Sequence, residues 1–178
     1  MPDLVELLSS QPEPLYAVLD AARDLRARDH VFLSKQRYAC LYREEADPEL
    51  EFVAPYLVHL PPNCRLLQQI AAEGWGKSWG IFLTCNQPFE AVWHQLRRLL
   101  MVRLEGLPKP AYFRFYDPRV LRSFLPIADA AQWQECFGPI SSFLMESETP
   151  DTMVRFPFQS GAGRRTEAIA VQCRSAVK

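Results

Sequence analysis

Seven residues, Gly74-Trp75-Gly76-Lys77-Ser78-Trp79-Gly80, set a lysine and a serine among three glycines and two tryptophans. Phosphate-cradling loops and nucleophile turns are built from such residue types. A phosphate loop of the GxxxxGK[ST] kind needs its first glycine where this chain has Ala71. It must also leave a strand and open a helix, so that backbone N–H groups and a helix N-terminus face the phosphate. Here the order is reversed: Cys64 to Glu73 reads as helix and Ile81 to Cys85 as a buried strand. The same reversal tells against Gly76-x-Ser78-x-Gly80 as a nucleophile elbow, whose serine sits on a strand-to-helix turn. Downstream of Ser78 only His94 is available as a histidine base. The plainer reading is a helix-to-strand connector whose tryptophans pack on a sheet. A small hydrolase or nucleotide-dependent enzyme using Lys77, Ser78 and Asp117 is the alternative.

Other reactive residues form no set. His30, His59 and His94 fall on different elements without HxxxH or HExxH spacing, so no metal site is expected. Five cysteines, Cys40, Cys64, Cys85, Cys136 and Cys173, are odd in number and contain no CxxC pair. They read as structural thiols. Glu44-Glu45, Asp47, Glu49 and Glu51 lie in polar runs and read as solvated. Asp117 has Tyr116, Arg114 and Arg119 around it, yet its place before Pro118 makes it a helix cap. Arg97, Arg98, Arg103, Arg114, Arg119 and Arg122 would converge if a long helix packed beside a strand at Ala111. Such a cluster with exposed aromatics suits a protein partner. No cofactor is implied.

The elements that must position these residues follow from apolar spacing and turn chemistry. Leu15 to Asp20, Tyr38 to Tyr42, Tyr56 to Leu60, Ile81 to Cys85, Ala111 to Tyr116, Ile140 to Met145 and Met153 to Phe158 read as strands. Phe89, Val92, Trp93, Leu96, Leu99 and Leu100 recur at helical spacing, with Glu90, His94, Gln95, Arg97 and Arg98 on the face expected to be solvated. A short helix is expected over Asp3 to Leu8 and another in the polar run from Arg23 to Asp29. Asp47-Pro48 and Asp117-Pro118 start short helices, and Asp129 with Gln132 forms a capping box. Asn63 is expected to cap the helix before the connector, and Gly74 to end it in a left-handed conformation. From about Ser160, the Ser-Gly-Ala-Gly-Arg-Arg composition predicts a flexible tail.

Together these predict one α/β or mixed α+β domain, a central sheet with helices packed against it. The divisions are residues 1–14 as an N-terminal segment, 15–145 as the domain and 146–178 as a short extension. With 178 residues, 48% hydrophobic and 23% charged, the chain has the composition of one globular domain. A formal net charge of -1 gives no global attraction to nucleic acid or anionic lipid. No run approaches about 18 apolar residues, and the acidic start is unlike a secretory signal, so a cytoplasmic protein without membrane insertion is expected.

Five blocks in order carry a resemblance: Tyr16 to Ala22, Val53 to Val58, Gly74 to Leu83, Leu96 to Leu100, and Phe113 to Leu121. Over about Leu15 to Phe143 the chain resembles the domain-of-unknown-function family 4123. The resemblance implies a non-enzymatic adaptor chaperone of the bacterial type VI secretion system. Such an adaptor binds a cognate toxic effector in the cytoplasm and helps load it onto the VgrG spike. Trp75, Lys77, Trp79, Arg98, Arg114, Tyr116, Asp117 and Arg119 are the candidate partner-binding or fold-fingerprint residues. The connector and the Arg114 to Arg119 stretch are expected to lie together, forming or bracing a partner surface. Read as fold determinants instead, the same blocks supply Gly74 as a cap, Trp79 as core and Asp117 as a helix cap.

Overall fold

A strand that is apolar along most of its length must be covered on both faces, and the run from Leu15 to Leu19 has that pattern. The computed structural model describes residues 1–42, 48–103, 106, 108–159 and 166–172. In chain order its elements are α1 (Leu4–Ser9), β1 (Leu15–Asp20), α2 (Leu25–Leu33), β2 (Tyr38–Cys40), α3 (Pro48–Glu51), β3 (Pro55–Leu60) and α4 (Arg65–Gln69). There follow β4 (Gly80–Thr84), α5 (Phe89–Leu99), β5 (Met101–Val102), β6 (Ala111–Tyr112), α6 (Pro118–Phe124), α7 (Ala130–Phe137), β7 (Ser142–Glu146), β8 (Thr152–Pro157) and β9 (Glu167–Ala170).

Seven strands form one sheet in the order β2-β3-β1-β4-β7-β8-β9, and β5 pairs with β6 separately. All the strand pairings are antiparallel. The alternation of strands and helices therefore resolves as a mixed α+β domain. On one face Tyr16, Val18, Ile81, Leu83 and Phe143 pack with side chains of α5, α6 and α7, among them Val92, Leu121 and Phe137. On the other, Ala17, Leu19, Val58 and Phe82 meet Leu4 and Leu8 of α1, Val31 of α2 and Leu67 of α4. Every position of β1 is buried because both layers reach it.

Local sequence explains most elements. Phe89, Val92, Leu96 and Leu99 of α5 are buried, each contributing about 1.5–3 kcal/mol by leaving water. Asp3, Asp24 and Asp117 accept backbone N–H groups at the starts of α1, α2 and α6. The Asp129–Gln132 capping box of α7 is present in both directions. The proposed Asp47 cap lies outside the described residues.

Five expectations are corrected. Cys64, not Asn63, occupies the cap position of α4; Asn63 adopts φ +54° and its N–H donates to Ser9 Oγ. Gly74 is not left-handed; it lacks a side chain because a Cβ there would lie 2.5 Å from Cε3 of Trp79. Gln95 is buried rather than solvated, its amide donating to the Glu135 carbonyl at 2.7 Å. The strand expected over Ala111 to Tyr116 ends at Tyr112, since Arg114 leaves the ladder to pair with Asp20. Finally, Glu167–Ala170 is no flexible tail but the outer strand of the main sheet, followed by a Gln172–Asp3 bridge. Residues 160–165 and 173–178 of that expected tail lie outside the described ones.

Candidate functional site

The C-terminal ends of β1 and β7 and the start of β4 lie at one end of the sheet. Leu19 pairs with Gly80 and Phe82 with Leu144, so the register brings Asp20, Gly80 and Glu146 to the same end. Two chain segments close over this end. One is the connector from α4 to β4; the other is the loop from β6 into α6.

The connector begins in a widened helical turn over Ile70–Gly74, in which the Trp75 N–H reaches the Ile70 carbonyl five residues back at 2.9 Å. Gly76 (φ +79°) and Ser78 (φ +58°) then adopt left-handed conformations. Left-handed residues of this kind turn backbone N–H groups into a concavity suited to an anion. The anion is Glu146. Its Oε2 accepts the Gly76 N–H at 2.6 Å, and its Oε1 accepts the Ser78 N–H at 2.9 Å and the Ser78 hydroxyl at 3.1 Å. Burial pushes the Glu146 carboxyl above the ordinary carboxylate range, against the opposing pull of these donors. The loop that resembles a phosphate binder thus does hold an anion by its backbone, and that anion belongs to β7.

The connector's tryptophans face inward. The Trp79 ring is buried against the sheet, its Nε1 donating to Asp24 Oδ2 at 3.2 Å and the Arg26 guanidinium lying 5.4 Å from its ring centroid. Half-buried Trp75 packs on Phe82 and donates from Nε1 to the Pro150 carbonyl at 2.6 Å. The Lys77 side chain is exposed, while its carbonyl accepts Arg23 Nε at 3.1 Å.

The second segment reaches the same strand ends. Arg114 Nη2 donates to Asp20 Oδ2 at 2.8 Å; Asp20 is buried, and its backbone N–H donates to the Trp79 carbonyl at 2.7 Å. Asp117 receives the Arg119 N–H at 3.0 Å and both Nε and Nη2 of that guanidinium, at 2.9 and 2.6 Å. Burial opposes ionisation of Asp117, but the Arg119 hydrogen bonds outweigh it and hold the carboxyl below its usual range. Arg122 Nη1 donates to the Glu146 carbonyl at 2.8 Å. Tyr116 is buried beneath the Arg114 guanidinium, its hydroxyl 3.2 Å from that of Tyr112, and burial pushes its ionisation up to about 12.

Trp75, Lys77, Trp79, Arg114, Tyr116, Asp117 and Arg119 are therefore brought to one end of the sheet, joined through Asp20 and Glu146. Arg98 is not among them. It lies on α5, donates to Gln95 Oε1 and lines a separate groove with Arg97. The arginines expected to converge divide accordingly: Arg114, Arg119 and Arg122 at the sheet end, Arg97 and Arg98 in the groove, and Arg103 beside a neighbouring cavity. Glu146 escaped the sequence reading, in which its strand stops at Met145. The available signal was an acid directly after the apolar run Phe143-Leu144-Met145.

At this end the oxygens of Asp20, Asp117 and Glu146 are each engaged by a donor, and the Ser78 hydroxyl is directed at Glu146. The side chains of Lys77, Arg114 and Arg119 remain exposed, the two arginines while paired with Asp20 and Asp117. His30 Nε2 lies 3.2 Å from a Glu73 carboxylate oxygen, the His59 ring is tilted against Tyr16 and His94 lies beside Trp93. Among the described residues no group of three or more His, Cys, Asp or Glu could hold a metal ion. Cys85 and Cys136 are buried free thiols, Cys40 and Cys64 half-buried ones, and Cys173 lies outside the described residues. No helix among those residues is long and apolar enough to cross a membrane.

A family model described as a domain of unknown function, DUF4123, matches residues 15–135. No curated protein and no solved structure matches the chain.

Proposed function

The chain belongs to the domain-of-unknown-function family 4123, and from that premise we propose that it is a non-enzymatic adaptor chaperone of the bacterial type VI secretion system. In this reading it binds a cognate toxic effector in the cytoplasm and helps load it onto the VgrG spike. The reading extends the resemblance drawn from the sequence blocks, and one observation supports it most. The two most distinctive blocks, the connector and the Arg114 to Arg119 segment, meet at the sheet end with their acids and serine engaged internally and their cations exposed. Chemistry would need the reverse, a general base or nucleophile with a free electron pair directed at substrate. An exposed cationic rim on a braced support suits recognition.

The test is co-expression with the product of the adjacent toxin gene followed by affinity capture. A stoichiometric complex is expected. Repeated failure with neighbouring toxin and spike proteins overturns the reading, and labelling of Ser78 by a serine-directed probe would restore the hydrolase alternative.

A further inference from the structure

Tyr112 connects the sheet-end cluster to a second surface. Its hydroxyl meets Tyr116, and its ring packs edge-on against Tyr42 at 6.1 Å on the border of a groove of about 730 Å³. The floor is Leu41 and Leu100, both buried. Leu50 and Met101 line it with about half of their surface exposed, 49% and 51%. His94, Arg97 and Arg98, consecutive along one side of α5, supply the ionisable nitrogens that line it among the described residues, and no carboxylate of a described residue is in that lining. Glu49 and Glu51, the acids nearest Leu50 in α3, are not part of that lining.

The two guanidiniums are positioned without being neutralised by any carboxylate of the described residues. Arg97 lies 4.3 Å from the Trp93 ring centroid, and Arg98 is held by the Gln95 amide, itself fixed on the carbonyl of Glu135. Among the described residues neither pairs with a carboxylate. Planar guanidiniums so placed retain donors for bidentate carboxylate recognition. An apolar trough flanked by tyrosine, methionine and arginine has the composition of a protein-binding surface. Its volume exceeds what one side chain fills, so the occupant must present more than one apolar group.

We propose that this groove takes a segment of the cargo protein that carries large apolar side chains next to aspartate or glutamate. The inference rests on the adaptor reading and deepens it by naming the chemistry of the segment gripped. The apolar side chains cover Leu50, Met101 and Tyr112, and the acids bind Arg97 and Arg98. The contact of Tyr112 with buried Tyr116 braces the wall of this groove against the Arg114 end of the sheet.

The experiment uses the full chain and the neighbouring toxin as purified proteins, with affinity measured by calorimetry. Arg97→Glu/Arg98→Glu and Met101→Glu change exposed or half-buried side chains, and thermal melts check that each variant folds. Arg65→Glu, on the opposite layer, is the charge-reversal control. Each groove variant is expected to weaken toxin binding by about tenfold or more while the control binds as wild type. Wild-type affinity should also fall between about 50 and 500 mM salt. Unchanged binding by both folded groove variants overturns the groove while leaving the adaptor reading standing. A wild-type chain that captures no neighbouring toxin overturns both. A dimer in light scattering that Met101→Glu dissolves assigns the groove to a second copy, and a small molecule retained in native mass spectra assigns it to that ligand; either result overturns the cargo segment.

Discussion

Glu146 and Ser78 lie 68 residues apart, yet a single carboxylate oxygen of the former accepts both the backbone N–H and the hydroxyl of the latter. The other oxygen takes the Gly76 N–H. The end of β7 is thereby locked to the connector that starts β4, and the connector's left-handed geometry is explained by what it encloses. Removing the acceptor in Glu146→Ala leaves the two Ser78 donors buried without a partner, at about 1–3 kcal/mol for each, while the Gly76 N–H can reach water. The expected loss is about 3 kcal/mol, read as a shift in the urea midpoint. Glu146→Gln, which keeps one acceptor oxygen, should lose less. A Glu146→Ala variant as stable as wild type would show that water replaces the carboxylate.

The same residue gives stability an unusual pH dependence. Because its carboxyl is raised above the unfolded value, its contribution is fully present below that value and is lost as pH rises through the folded one. Asp24 has the opposite sign: its hydrogen bonds from Arg26 lower it from 3.8 to about 2, so its contribution is present above the ordinary value and lost as pH falls toward about 2. Unfolding by urea at a series of pH values separates the two. Relative to Glu146→Gln, the wild type should lose stability as pH rises above about 4.5. Relative to Asp24→Asn, it should lose stability on the acid side, below 3.8.

Three glycines of the connector answer to three different constraints, and alanine at each should rank them. A Cβ on Gly80 would strike the Val18 carbonyl oxygen in β1, which cannot move without parting the ladder. Gly80→Ala is therefore expected to cost about 3 kcal/mol or more. At Gly74 the obstacle is the buried Trp79 ring at 2.5 Å, a side chain rather than the backbone of a ladder, and the cost is about 1–3 kcal/mol. Gly76 faces open space apart from Pro150 at 3.0 Å, but its φ of +79° leaves about 1–2 kcal/mol of backbone strain. Melting temperatures should fall in that order. A Gly76→Ala protein less stable than Gly80→Ala would contradict the packing argument.

This ordering also shows which parts of the molecule local sequence can encode. The apolar runs of β1, β3 and β4 and the helical repeat of α5 are local signals, and so are the Asp117-Pro118 cap and the Asp129–Gln132 box. Gly74 was legible as a helix end, but the reason for glycine there is a ring five residues later that folds back over it. Alternation in Ala111 to Tyr116 matches a strand, yet Arg114 is drawn to Asp20, 94 residues away, and ends the ladder early. Burial of Gln95 and the anionic role of Glu146 likewise depend on partners from distant segments. The linker-like composition before Glu167 hid a strand whose pairing partner, β8, supplies the order. At the candidate site, the residues that meet were legible individually; the acids that join them, Asp20 and Glu146, were not.

Lys77 separates the two roles of the connector. Its neighbours are committed to the fold: Trp75 to Phe82 and Pro150, Ser78 to Glu146, and Trp79 to the core. Substituting any of them changes stability, so a loss of binding would be ambiguous. The Lys77 side chain is exposed, and the backbone carbonyl that meets Arg23 is retained in any substitution. Lys77→Glu should therefore alter stability by no more than about 0.5 kcal/mol. If the cationic rim of Lys77, Arg114 and Arg119 receives the effector, the same variant should weaken capture, mainly through slower association at low salt. Stability and association kinetics measured on one preparation distinguish the cases. Unaltered association with an unaltered melt assigns the connector to bracing the sheet end alone.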